Sequence, residues 1–151
     1  MPRFEITTTV PVARERVWAQ VSTMAGVNAE LWPIVMTYPR EIAALNAAQA
    51  VMGQPMFRSW VLLFGVLPID RHALTLVSVD PPAGFHEDSR SWLQRRWIHI
   101  RTLEETPSGC RITDRVEFEP RLPGVGRLLL PVFRAVFANR HRYLRRHFGP
   151  S

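Results

Sequence analysis

Apolar and polar residues alternate along Phe4–Val10, with Phe4, Ile6, Thr8 and Val10 set against Glu5, Thr7 and Thr9. This pattern predicts a half-buried strand. Pro11 ends it. Val17, Trp18 and Val21 then fall at helical spacing within Ala13–Ser22, which predicts a short helix. Gly26 interrupts, and Val27–Leu31 predicts a second short turn of helix before Trp32 and Pro33. The Ala-rich run Arg40–Met52 is helix-prone and predicts a helical insertion or edge element closed by Gly53 and Pro55. From Phe57 onward the period changes to that of a strand. Phe57–Leu67 is apolar on both faces, as suits a strand buried on both sides, and Pro68–Asp70 reads as a turn. His72–Asp80 is a further strand, broken by Pro81, Pro82, Ala83 and Gly84. Phe85–Trp92 alternates again. Gln94–Glu104, a hairpin turn at Thr106–Gly109 and a returning strand Cys110–Glu119 complete the β region.

The chain closes on a long amphipathic run, Leu122–Phe148. Its apolar residues Val125, Leu129, Val132, Phe133, Val136, Phe137 and Leu144 follow three-and-four spacing. Arg134, Arg142, Arg145 and Arg146 fall largely on the other side. Pro131 predicts a short segment before it and the main helix from about that residue onward. The order is strand, two helices, antiparallel strands and one long helix, an α+β arrangement expected to occupy residues 1–151 as one domain. Short connections after Leu67 favour a meander. A twisted antiparallel sheet curls, and a single helix laid across its concave side leaves room for an apolar cavity.

Composition narrows the class of protein. Of 151 residues 46% are hydrophobic, with five Trp and eight Phe, which excludes a disordered chain. The segment from Met1 reads as a strand and not as a secretory signal. The longest apolar run, Trp60–Ile69, is half a membrane span and contains Gly65 and Pro68. One cysteine, Cys110, excludes an internal disulfide and fits a reducing compartment, so the expected location is the cytoplasm, with membrane contact at most peripheral. The net charge is +6, and all 19 basic residues are Arg. Such exclusive use of Arg fits the codon bias of a GC-rich genome better than selection for nucleic acid. The Arg cluster 140, 142, 145 and 146 is accounted for by the dipole at a helix C-terminus. No nucleic-acid partner is expected.

Three segments carry a resemblance to a known family. They are the first strand with Val10-Pro-Val-Ala-Arg-Glu-Arg-Val-Trp18, the hairpin Arg95–Arg101 with its return Arg111–Glu119, and the closing Phe137-Ala-Asn-Arg-His-Arg-Tyr-Leu144. In this order they resemble the SRPBCC superfamily, the helix-grip fold of START domains, birch-pollen-allergen-like proteins and polyketide cyclase/dehydrase-like bacterial proteins. The resemblance implies a curved antiparallel sheet wrapped around a long C-terminal helix, with two short helices after the first strand and a ligand cavity between sheet and helix. The helical reading of Arg40–Met52 departs from the family pattern. Superfamily members include carriers, sensors and enzymes, so the fold alone names no reaction.

The resemblance also implies that the face of Gln94–Glu104 carrying Trp97, His99 and Arg101 lines the cavity. On the returning strand, Ile112, Asp114, Val116 and Phe118 would share it. An Asp114–Arg101 or Asp114–His99 pair would then orient the polar end of a ligand or act as acid and base, unless it is a structural buried pair. His99, Arg101 and Asp114 are the candidate catalytic residues. The aromatic residues Trp60, Phe64, Trp92, Trp97, Phe133 and Phe137 are candidates for the cavity wall or for ordinary core. His86 and Asp88 share a strand face, but no third ligand accompanies them, and no metal or cofactor is expected. Gly124 and Gly126 lack the third glycine and preceding parallel strand of a dinucleotide site. The expected function is binding of a hydrophobic small molecule, lipid or polyketide-like. A cyclase/dehydrase-like enzyme and a non-enzymatic interaction or dimerisation module are the alternatives. The chain is expected to be a monomer or homodimer.

Overall fold

The computed structural model describes residues 1–43 and 51–149. Its elements are β1 (Arg3–Val10), α1 (Arg14–Val21), α2 (Met24–Leu31), β2 (Ile34–Met36), β3 (Pro55–Leu63), β4 (Leu67–Asp80), β5 (Gly84–Ser91), β6 (Gln94–Thr106), β7 (Gly109–Pro120) and α3 (Gly126–Phe148). The seven strands form one antiparallel sheet in the order β1-β7-β6-β5-β4-β3-β2, curled around α3 as a half-barrel. This is the helix-grip, α+β arrangement. From β3 to β7 each strand pairs with its sequence neighbour. β1 returns to close against β7, with Phe4 opposite Val116 and Ile6 opposite Asp114.

Alternation decides which side chains face the helix. On the inward face the buried residues include His99, Arg101 and Leu103 of β6 and Cys110, Ile112, Asp114, Val116 and Phe118 of β7. A bulge between Gln94 and Arg96 lets Arg95 and Arg96 both face solvent while Gln94 turns inward. Three apolar clusters fill the concave side. One joins Val10, Val17, Val21 and Ile112 to Leu144 of α3. A second joins Met24, Phe57, Leu74, Leu76 and Phe85. The third joins Phe4, Val116 and Phe118 to Phe137.

Several local features differ from the sequence expectation. The apolar run does not continue as one strand to Leu67. It folds back at Phe64 and Gly65, whose φ angles of 55° and 74° both lie in the left-handed region that tight hairpins require. β4 therefore begins at Leu67 and runs through Pro68–Asp70, which is strand and not turn. Gly26 does not interrupt a helix but sits in the first turn of α2, against α1. A Cβ there would lie 1.8 Å from the Gln20 carbonyl oxygen. The Thr23 hydroxyl caps α2 by accepting the Gly26 N–H at 3.0 Å. Asn28 then clamps the three-residue edge strand β2, donating to the Met36 carbonyl at 2.9 Å and accepting the Met36 N–H at 2.8 Å. α3 starts a turn earlier than expected and contains Pro131. Its buried stripe is Phe137, Arg140, His141, Leu144 and Phe148, and Val132 is 52% exposed. Most of the helix expected over Arg40–Met52 lies outside the described residues. On its described flanks, Ile42 N–H closes a turn on the Pro39 carbonyl.

Candidate functional site

A cavity of about 190 Å³ opens between α2, α3 and the sheet. Met24, Val27 and Leu31 come from α2, and Phe133, Val136 and Phe137 from α3. Leu74, Leu76, Phe85 and Trp97 supply the apolar part of the sheet wall. Ile69 and Leu93, both partly exposed, stand at the solvent side. The same wall includes His72, Glu87, Gln94, His99 and Arg140, so the chamber is apolar with polar groups in one wall.

Those polar groups belong to a network that runs through the molecule. Asp114 is its hub. Its Oδ1 accepts from Arg101 Nε at 2.8 Å and from His99 Nε2 at 2.7 Å. Its Oδ2 accepts from Arg101 Nη2 at 2.8 Å and from His141 Nε2 at 2.7 Å. Four donors use the full acceptor capacity of an ionised carboxylate. Arg101 also reaches across to Glu30 of α2, Nη1 to Oε2 at 3.0 Å and Nη2 to Oε1 at 2.8 Å. Arg140 of α3 donates from Nε to Glu30 Oε1 at 3.1 Å and lays its guanidinium over the Phe137 ring. On the other side of His99, Nδ1 faces Glu87 Oε1 at 3.9 Å. Glu87 Oε2 meets His72 Nε2 at 2.5 Å and accepts from Ser89 Oγ at 2.6 Å.

Burial and pairing compete at each group. Burial pushes the Asp114 carboxyl up, but Arg101, His99 and His141 outweigh it and hold the group well below its ordinary value. Burial likewise raises Glu87, and His72, His99 and Ser89 bring it below normal. For His99 burial wins: desolvation, helped by Arg140 and Arg101, lowers its pKa despite the pull of Asp114. The lowered value favours the neutral imidazole, whose Nε2 meets Asp114 at 2.7 Å and whose Nδ1 lies 3.9 Å from Glu87 Oε1. Asp114 and Glu30 hold Arg101 charged against the opposing cost of burial. The Cys110 thiol is pushed up to about 11, chiefly by burial, which makes it a core group and not a nucleophile.

Residues 8–148 match the family described as Domain of unknown function (DUF8410). The chain belongs to this family. The DUF8410 chain has no match among curated proteins. Its fold is similar to that of several solved structures. Protein CV1439 from Chromobacterium violaceum has a TM-score of 0.74 at 13% identity, with both chains covered over 100%. The AHSA1 (SPO3351) protein from Silicibacter pomeroyi has a TM-score of 0.67 at 15% identity, covering 97% of this chain and 96% of that one. DynU16, a putative protein in the dynemicin biosynthetic locus, has a TM-score of 0.62 at 16% identity; the match covers 95% of the DUF8410 chain and 47% of DynU16. At these identities the likeness is one of fold.

The structure brings Trp97, His99, Phe133 and Phe137 to the wall of the DUF8410 cavity. Arg101 and Asp114 do pair, but they sit fully buried behind His99 and are not part of that wall. Phe118 packs in the core against Phe133, ring centroids 4.9 Å apart. Trp60 lies on the opposite face of the sheet, edge-to-face with Trp92 and beneath the Arg71 guanidinium. Phe64 is 61% exposed at the hairpin tip, next to Trp32. Asp88 is taken by a bidentate contact from Arg96, so His86 and Asp88 do not act together. Among the described residues, no group of three His, Cys, Asp or Glu is arranged to hold a metal ion, and no helix is long and apolar enough to cross a membrane.

Sequence reasoning missed Glu30, His72, Glu87, Gln94, Arg140 and His141. Three of these carried a signal: His72 alternates with Leu74 and Leu76, Glu87 with Phe85 and Ser89, and His141 follows Phe137 by four. Arg140 was assigned to the solvated Arg cluster, whereas it is buried against Glu30. Glu30 carried no signal, because its partner is 71 residues away on another element.

Proposed function

We propose that this DUF8410 chain binds a small, largely apolar molecule in the cavity between α2, α3 and the sheet, with a polar end of the ligand turned to the Glu87, His99 and Gln94 side. The cavity itself carries this reading: an apolar chamber holding a few convergent polar groups is the ordinary form of a small-molecule site. Its volume of about 190 Å³ sets the scale. An apolar protein cavity of roughly 150 Å³ admits benzene, so the fit is to a ligand of one or two rings and not to a two-chain lipid. A polyketide-like aromatic fragment is consistent with that size, and the fold relative from a dynemicin biosynthetic locus supports the same direction.

The test is native mass spectrometry of protein purified from its own host, combined with NMR titration by small aromatic probes. The expected result is a co-purified molecule of one or two rings, and probe-induced shifts that Val136→Trp abolishes while its thermal unfolding stays cooperative. If no mass co-purifies and no probe shifts cavity residues, the reading fails.

One observation favours a second reading, acid–base chemistry of the cyclase/dehydrase kind. His99 is oriented by Asp114, and its lowered pKa favours the neutral ring, whose Nδ1 can take a proton. It faces Glu87, itself in the cavity wall. His99→Gln would then abolish turnover of the co-purified ligand and spare its binding. Equal turnover by that variant rejects the enzymatic reading and leaves the carrier.

A further inference from the structure

Gln94 is the first residue of β6, turned inward by the bulge that sends Arg95 and Arg96 outward. It is 3% exposed and forms part of the cavity wall beside Ser91, Leu93 and Trp97. Its backbone N–H is held by Ser91 Oγ at 3.0 Å. Its side-chain Nε2 and Oε1 are both buried, and among the described residues neither has a hydrogen-bond partner.

The other polar side chains of that wall are engaged. Asp70 Oδ1 accepts from the Arg71 and Leu93 N–H groups. His72 is paired with Glu87, His99 with Asp114 and Arg140 with Glu30. A buried carboxamide with neither donor nor acceptor satisfied is costly, and Met would fill the same volume without that cost. The exception therefore sits where a ligand would sit.

We infer that Gln94 is the group that reads the ligand's polar end, and that this end is a neutral donor–acceptor pair such as a carboxamide, lactam, imide or protonated carboxylic acid. The inference rests on the cavity being a ligand site. A carboxamide offers an N–H donor and a C=O acceptor side by side. Only a group with an acceptor and a donor in matching positions satisfies both. A ketone, ester or ether satisfies Nε2 alone and leaves Oε1 bare. An ionised carboxylate does the same and sets like partial charges against each other. The rest of the ligand is then a ring system facing Phe133, Phe137 and Leu74.

The discriminating probes are benzamide and acetophenone, which have nearly the same shape but differ in the donor. NMR titration of the full chain is expected to show benzamide binding about tenfold more tightly, the effect of roughly one buried hydrogen bond. In Gln94→Met and in Gln94→Leu that preference is expected to fall to about onefold while acetophenone binding persists. Equal affinity of the wild type for the two probes overturns the inference and leaves the cavity reading standing. So does a preference that survives in either variant. Binding of neither probe overturns the inference, and together with the absence of any co-purified molecule it overturns the cavity reading as well. The wild-type ratio decides the question even if a substitution impairs folding.

Discussion

Asp114 holds two histidines and one arginine that come from one strand, β6, and the helix α3, and its removal takes the shared buried partner from all three, leaving Arg101 with Glu30 alone. Asp114→Asn keeps the volume but loses the charge that faces Arg101. It is expected to destabilise the protein by about 3–5 kcal/mol, read as a lowered urea midpoint. The same residue sets part of the acid response. Its folded pKa lies well below the ordinary 3.8, so its contribution is complete above that value and disappears as pH falls towards the folded value. His99 acts at higher pH and in the same sense. Its folded pKa lies below 6.5, so the unfolded chain takes up the proton first and stability declines as pH drops below about 6.5. Urea unfolding between pH 5 and pH 8 is expected to show this decline in the wild type and a flatter profile in His99→Gln. At this scale the sequence was informative wherever residues alternate along a strand. Alternation sets Trp97, His99 and Arg101 on one face and Ile98 and Ile100 on the other, and it was the family resemblance, not the period of two, that pointed the first set inward. Gln94 escaped the same logic because a bulge resets the period between it and Trp97.

Elements were legible to the extent that their signals are local. The strand–helix–helix opening, the β6–β7 hairpin and the long final helix all followed from periodicity and turn residues. The β3–β4 hairpin did not, because Phe64 occupies a left-handed position normally held by Gly, Asn or Asp. A bulky aromatic residue there masks the turn and strains it. Phe64→Asn is expected to raise the unfolding free energy by about 1 kcal/mol, seen as a higher urea midpoint. The α1–α2 corner works the other way. Gly26 looked like a break, yet it is the position where two short helices touch, and the Gln20 carbonyl leaves no room for a side chain. Gly26→Ala is expected to cost about 1–3 kcal/mol through the resulting displacement, with a matching fall in thermal midpoint. Because α2 carries Met24, Val27 and Leu31 of the cavity wall as well as Glu30, this substitution is also expected to weaken probe binding.

At the scale of the whole molecule, the buried charges occupy the seam between the apolar clusters and tie α2, α3 and the strands β4 to β7 to one another. Much of this seam could not be read from the chain, since Glu30 meets Arg101 and Arg140 only after the sheet has curled. The cavity has the same origin: its walls are residues whose separation depends on curvature, and curvature leaves no mark in hydropathy. The curled sheet also stays open, ending at β2 on one side and β1 on the other. Asn28 meets the peptide groups of Met36 that β3 does not use, and so denies a second molecule a template for strand addition. Asn28→Ala is expected to unmask that border. Light scattering on heating should then show association beginning at lower temperature and rising with protein concentration, while the urea midpoint falls only slightly. On this view one amide side chain sets how concentrated a solution of the protein can be before its molecules begin to pair.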